Sequence, residues 1–434
     1  MAQDISIFWF RRDLRLDDNV GLFKALKAKH PVLPIFIFDT EILDKLPKDD
    51  ARVSFIHERL EKINNRLKKT KSGLAVYQGK PLNIYKQLIK DFNIKAVYTN
   101  HDYEPYAKER DESIASFLKE NDIDFHTFKD QVIFEKDEIL KDDGDPYVVY
   151  TPYSKKWLER FNKEELKFFH SENELDNTFK SDNLPFLSLK DIGFEPTNIP
   201  VEDFTLTDNL VDNYENTRNF PAKKGTTKIS PHLRFGTVSI RKVADKASKS
   251  SNNTYLKELI WREFFMHILW HFPQTVTKSF KPQYDNIKWR NNETEFKAWC
   301  NGQTGYPMVD AGMRELNQTG FMHNRVRMIV GSFLCKHLLI DWRWGEAYFA
   351  EKLHDYEMSS NVGNWQWVAG SGVDAAPYFR IFNPTTQIEK FDKHHEYIKQ
   401  WVPEYQELTY PQPIVNHKFA RERCLEAYKV ALNG

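Results

Sequence analysis

The chain has 434 residues, more than one hydrophobic core holds, so two or three domains are expected. Its 62 basic and 62 acidic side chains cancel, which excludes a uniformly polycationic nucleic-acid binder; any polyanion must be met by a local patch. Cys300, Cys335 and Cys424 are odd in number and lack metal-ligand spacing, which argues against a disulfide framework or a metal centre.

The opening MAQDISIFWF lacks a charged-then-apolar targeting pattern, and no run of 18 apolar residues occurs, so a soluble, cytoplasmic protein is expected. Over residues 1–130 short β-rich runs alternate with amphipathic stretches. SIFWF, VLPIFIF, LAVYQG, AVYTN and IDFHTF read as strands, and 19–29, 51–68, 81–92 and 106–119 as helices. That alternation predicts an α/β domain with a parallel, doubly wound sheet. Neither GxGxxG nor GxxxxGK[ST] follows any strand, so a pyrophosphate site in this half has no motif behind it. The run RRDLRLDD reads either as a phosphate-facing loop or as a solvated, self-paired charge run. Residues 131–206 turn acidic and Pro- and Asn-containing, which predicts a linker with a short helix near 152–161. From 207 to 434 the periodicity is helical, giving a larger all-α domain.

Nine of the eleven tryptophans fall between Trp261 and Trp401, so aromatic chemistry concentrates in the helical half. In SSNVGNWQW, Trp365 and Trp367 stand among polar groups that can be buried only when hydrogen-bonded, a mixture suited to a polar, planar ligand. In GTTKISPHLRFG, Ser230 reads as a helix cap with Pro231 at the first helical position. Thr226, Thr227, Lys228 and Ser230 beside exposed amides would then suit a phosphate; an ordinary capped helix is the plainer reading. In ELIWREFF, Glu258, Trp261 and Phe265 share a helical face. Taken alone, Glu258 would pair with Arg262 one turn on, and Trp261 would be core. Asn324, Arg327, Met328 and Gly331 recur at helical spacing, which suits a helix against a flat polar ring with Gly allowing close approach.

Together with FWFRRDLRLDDN, TGYPMVDAGMREL, TGFMHNRVRM, LIDWRWGE and DAAPYFRIFNP, these motifs make the chain similar to the DNA photolyase/cryptochrome family over essentially its whole length. It most resembles the bacterial class I cyclobutane pyrimidine dimer photolyases. The resemblance implies one non-covalent FAD in the helical domain, held by Tyr214, Thr226, Thr227, Lys228, Ile229, Ser230 and Tyr255. Arg327 paired with Asp355, then Tyr356, Glu357 and Asn361, would line the flavin ring, with Asn361 at N5. A dimer flipped out of UV-damaged DNA would meet Arg218, Glu258, Trp261, Phe265, Asn324, Arg325, Met328 and Trp367. Trp365, Trp342 and Trp289 match the relay that carries electrons to photo-excited flavin. The implied activity is light-driven dimer splitting by electron transfer from reduced FAD, which needs no metal and no hydrolytic triad. A monomer with no membrane partner is expected.

Some positions depart from the family pattern. Glu357 stands where Asp is common, and the segment between WVPE and YPQPIV is shorter than in typical relatives. Tyr106-Ala107 replaces the Asn-Glu of folate-using members, which leaves folate contacts unsupported and a deazaflavin, a second flavin or no antenna open. The alternative function is a blue-light signalling cryptochrome. It is disfavoured by the complete dimer-pocket set and by the lack of a signalling tail before Gly434. MHNR at 322–325 lacks the paired histidines of (six-four) photoproduct repair.

Overall fold

Strand β1 (Asp4–Phe10) is flanked by β2 (Val32–Phe38) and β4 (Asn93–Asn100), with β3 (Ala75–Gln78) and β5 (Asp124–Phe128) outside them. All pairs are parallel, in the order β3-β2-β1-β4-β5, with Phe8 opposite Pro34 on one side and Tyr98 on the other. The computed structural model describes residues 3–433. Central strands here read as unbroken apolar runs because both faces of the sheet are covered. Phe8, Phe10, Phe36 and Phe38 pack into one cluster, while Ile7, Trp9, Ile35 and Ile37 enter another, as the two-residue period of a strand requires.

The described residues fall into two compact units, one of residues 3–138, 159–204 and 229–249, the other of 139–158, 205–228 and 250–433. Residues 229–249, expected in the helical domain, therefore cluster with the sheet, and 139–158 with the helices. Within the first unit the reason is electrostatic. Arg241 pairs with Asp18 at 3.0 Å and Asp130 at 2.9 Å, and Arg15 with Asp130 at 2.7 Å, all deeply buried. Arg12 pairs with Asp102 and Glu104, both at 3.0 Å. The RRDLRLDD run is thus neither phosphate-facing nor a solvated face. Most of its charges are buried against partners distant in sequence, the condition under which a buried ion pair is tolerated, and Asp17, paired with Lys242, stays partly exposed.

The second unit is helical. It includes Tyr150–Lys163 up to residue 158, then Thr254–His271, Pro307–Thr319, Asn324–Ser332, Trp342–Lys352, Met358–Ala369 and His417–Asn433. One wide π-helical turn, Phe333–His337, follows Ser332. Its core gathers Trp299, Met313, Val330, Phe333, Trp342 and Trp365. Among the described residues no helix is long and apolar enough to cross a membrane.

Candidate cofactor and substrate site

The long helix Thr254–His271 buries most of its length and leaves Glu258 and Trp261 half-buried on adjacent turns. Glu258 does not pair with Arg262. It accepts from Arg218, 40 positions earlier, while Arg262 reaches the buried Glu357 carboxylate at 3.0 Å. Burial pushes the Glu258 carboxyl above its ordinary range, and the Arg218 guanidinium opposes that shift. Phe265, one turn beyond Trp261, packs on Gly363, where any Cβ would overlap its ring.

The segment 205–228 brings Tyr214 edge-on to Tyr255 at 5.0 Å, and the Thr227 hydroxyl lies 3.1 Å from that of Tyr255. Lys228 has a left-handed backbone with φ of 53°, and its ammonium stands 5.3 Å over Phe321. Arg327 lies 5.9 Å from the same ring, so Phe321, which sequence reasoning passed over, joins the 226–228 segment to the next group. Arg327 grips Asp355 with both guanidinium nitrogens at 3.2 and 2.9 Å, the geometry in which an Arg–carboxylate pair is strongest. The Arg327–Asp355 pairing expected from the sequence is present. Ile229 and Ser230 belong to the first unit instead. Ser230 is the first residue of a five-residue helix whose N-cap is Ile229, and no side chain caps it, so the expected Ser230 cap is not formed.

Arg325 donates to the Asn219 side-chain amide oxygen at 2.6 Å, contacts the Met328 sulfur at 3.6 Å and stands 4.5 Å over Phe391. Burial first, then the neighbouring cations Arg218 and Arg380, lower its affinity for its proton. Cations that repel one another in this way favour an anion among them. Asn324 is exposed at the start of its helix, which the buried His323 caps by accepting from the Arg325 amide. Gly331 does not face a ligand: an added Cβ there would meet Val368 and the Trp365 ring.

On the Met358–Ala369 helix, buried Asn361 donates its amide nitrogen twice to Glu346, to the backbone oxygen at 3.0 Å and the carboxylate at 2.9 Å. With both amide protons directed there, the carbonyl oxygen is what Asn361 offers elsewhere. Burial raises the Glu346 carboxyl above its ordinary range. Glu346 was missed from sequence, although it follows Trp342 by one helical turn. Trp365, Trp342 and Trp289 lie in or against one apolar cluster. Trp365 sits 5.0 Å from Phe349 and 6.2 Å from Trp299, a tryptophan not singled out above. Trp342 is buried beneath Arg343 at 4.7 Å, and Trp289 meets Tyr428 edge-on at 6.0 Å. Trp367 and Tyr356 are half-buried.

Residues 255–409 match the FAD binding domain of DNA photolyase, and residues 6–171 match DNA photolyase. The deoxyribodipyrimidine photo-lyase of a Synechococcus strain is 37% identical over 97% of this chain and 96% of its own. The chain belongs to the DNA photolyase family. Among solved photolyases, a bacterial class III enzyme from Agrobacterium tumefaciens superposes with a TM-score of 0.88 at 34% identity, covering 100% of this chain and 99% of that one. An archaeal photolyase from Sulfolobus tokodaii, described with two FAD molecules, gives 0.84 at 34% identity over 98% of this chain and 100% of that one. The photolyase architecture, sheet unit and helical unit, is the one expected from the sequence.

Proposed function

We propose that this photolyase-family protein is a light-dependent DNA repair enzyme that binds one FAD and splits cyclobutane pyrimidine dimers. The observation that carries the reading is the Glu258–Trp261 pair beside the Arg218, Arg325 and Arg380 cations. An acid for a base edge, an indole for a base face and cations for the backbone are what a flipped dinucleotide needs.

The residues present fit a flavin dinucleotide. Asn361, its nitrogen committed to Glu346, offers an oxygen to a ring N–H. The Arg327–Asp355 pair and the buried Glu357 give fixed polar edges, and Tyr214, Tyr255, Thr226, Thr227 and Lys228 suit the ribityl and phosphate groups, with Ile229 and Ser230 following in the chain. When bound and reduced, the flavin supplies the light-absorbing one-electron donor. The protein's part is positioning and electrostatics. Arg218 exchanges Glu258 for a DNA phosphate, which leaves Glu258, already pushed up by burial, able to hydrogen-bond a pyrimidine edge. Trp261 and Trp367 stack on the splayed bases, with Phe265, Asn324 and Met328 completing the pocket. Trp365, Trp342 and Trp289 would pass electrons from an external reductant toward the bound flavin.

The first unit disfavours a folate antenna. Tyr106 stands at the position of a folate-contacting Asn, donates to Asp39 at 2.5 Å and lies 5.7 Å from the Arg110 guanidinium. We propose a flavin-type or deazaflavin second chromophore, or none. The reading also implies a monomer acting in the cytoplasm on UV-damaged DNA.

The test is direct. Purified protein should be coloured by flavin and should clear dimers from irradiated DNA under blue light only. A colourless folded protein, or equal clearance in the dark, overturns the reading.

A further inference from the structure

Tyr150 opens the Tyr150–Lys163 helix and lies, with its ring nearly parallel, on Trp261: the centroids are 3.6 Å apart and the planes differ by 7°. Most aromatic pairs in proteins prefer offset or edge-on contacts with centroids 4.5–7 Å apart. Here one face of the indole is covered ring for ring. Phe264 and Phe265 stand at 5.7 and 5.6 Å, the first nearly perpendicular. Tyr150 is itself buried while Trp261 is half-exposed, so Trp261 keeps surface that Tyr150 does not cover.

Two further bonds hold Tyr150, one through its hydroxyl and one through its backbone. Its hydroxyl donates to the Lys257 carbonyl at 2.8 Å, one turn before Trp261 on the same helix. Its backbone N–H donates to Asp374 at 3.3 Å. Asp374 holds a left-handed backbone with φ of 44°, unusual outside glycine, in the segment that follows the helix bearing Trp367. One residue therefore sets the plane of the first indole and ties it to the chain just past the second.

We propose that Tyr150 is a positioning residue for pyrimidine recognition, backing Trp261 so that a base stacks on a single, pre-oriented indole face. The inference rests on the dimer-repair reading above. An indole already held in its binding rotamer loses less freedom when a base stacks on it, so the gain appears in affinity and not in the light-driven step.

The test uses the FAD-loaded, reduced enzyme with oligonucleotides carrying one cyclobutane dimer or none. Tyr150→Ala should weaken dimer binding about tenfold, within the range of a lost stacking contact. FAD content and the repair yield of bound dimer should stay within about twofold. Tyr150→Phe, which keeps the stack, should bind within about threefold of wild type. In a Trp261→Ala background, Tyr150→Ala should cost little more, because its effect passes through that indole. Unchanged dimer affinity in Tyr150→Ala overturns the proposal. So does Tyr150→Phe as weak as Tyr150→Ala, full additivity in the double variant, or parallel loss of FAD and of undamaged-DNA binding. Tyr150→Leu preserves bulk at the site, and normal dimer affinity in that variant would also overturn it. Wild-type protein that fails to prefer dimer DNA is a different failure, that of the function itself.

Discussion

Tyr397 donates its phenol proton to the buried Glu315 carboxylate at 2.5 Å, and the His323 amide donates to the same oxygen at 3.3 Å. These bonds do not offset desolvation, which raises the Glu315 carboxyl from 4.5 to about 7.

A carboxyl raised on folding contributes stability that is complete below its unfolded value near 4.5 and is lost as pH rises through about 7. Wild-type protein should lose about 2–3 kcal/mol from this group between pH 5 and 8. Glu315→Gln keeps an acceptor for Tyr397 and cannot ionise. Urea midpoints should then coincide with wild type at pH 5 and exceed it at pH 8; equal midpoints at pH 8 refute the assignment.

Trp342→Phe keeps most of the buried ring and removes the readily oxidised indole. The variant should fold and bind FAD, yet fail to photoreduce oxidised flavin with an external donor. Repair should persist once the flavin is reduced chemically. Normal photoreduction would remove Trp342 from the relay.

Gly345 touches Trp365 so closely that an added Cβ would overlap its ring and the Leu334 side chain. Gly345→Ala should therefore cost about 1–3 kcal/mol in denaturant unfolding, as overpacking does. It should also slow photoreduction.

Binding to dimer DNA should weaken steeply with salt despite the neutral sequence. Removing Arg218, Arg325 or Arg380, or Lys223 or Lys224, should each lower the slope of log affinity against log salt by about 0.9. A slope unchanged by all five substitutions would make the patch an ordinary solvated surface.

The strands and most helices were legible because their burial is local. β1 and β2 are apolar on both faces, and Glu258 and Trp261 follow a helical turn. Partnerships were less so, because they span the chain. Arg262 finds Glu357 95 positions away, and Arg241 finds Asp18 across 223, which is why residues 229–249 left the helical half. The motif set identified the family and placed Arg327 with Asp355. It could not show that Gly331 serves Trp365, or that Asn361 is steered by Glu346. Nor did it reveal the stack on Trp261, since Tyr150 lies more than a hundred positions upstream in a stretch read as linker.

The wide turn at Phe333–His337 has a bearing on how this chain tolerates change. Such a turn holds one residue more than an α-helical turn, so the helix reaches its end at His337 about 100° out of phase with an unbroken α-helix. The face that begins at Asn324 therefore does not continue past Ser332. Within that turn Lys336 is buried, and its ammonium lies 3.8 Å over Tyr428 and donates to the Ala369 and Tyr378 carbonyls. Ala369 is the last residue of the helix that carries Trp365 and Trp367. Length, more than residue identity, is thus the guarded quantity in this stretch: a conservative replacement keeps the phase, whereas deleting a single residue would swing the lysine out of register and release the end of the helix bearing both indoles.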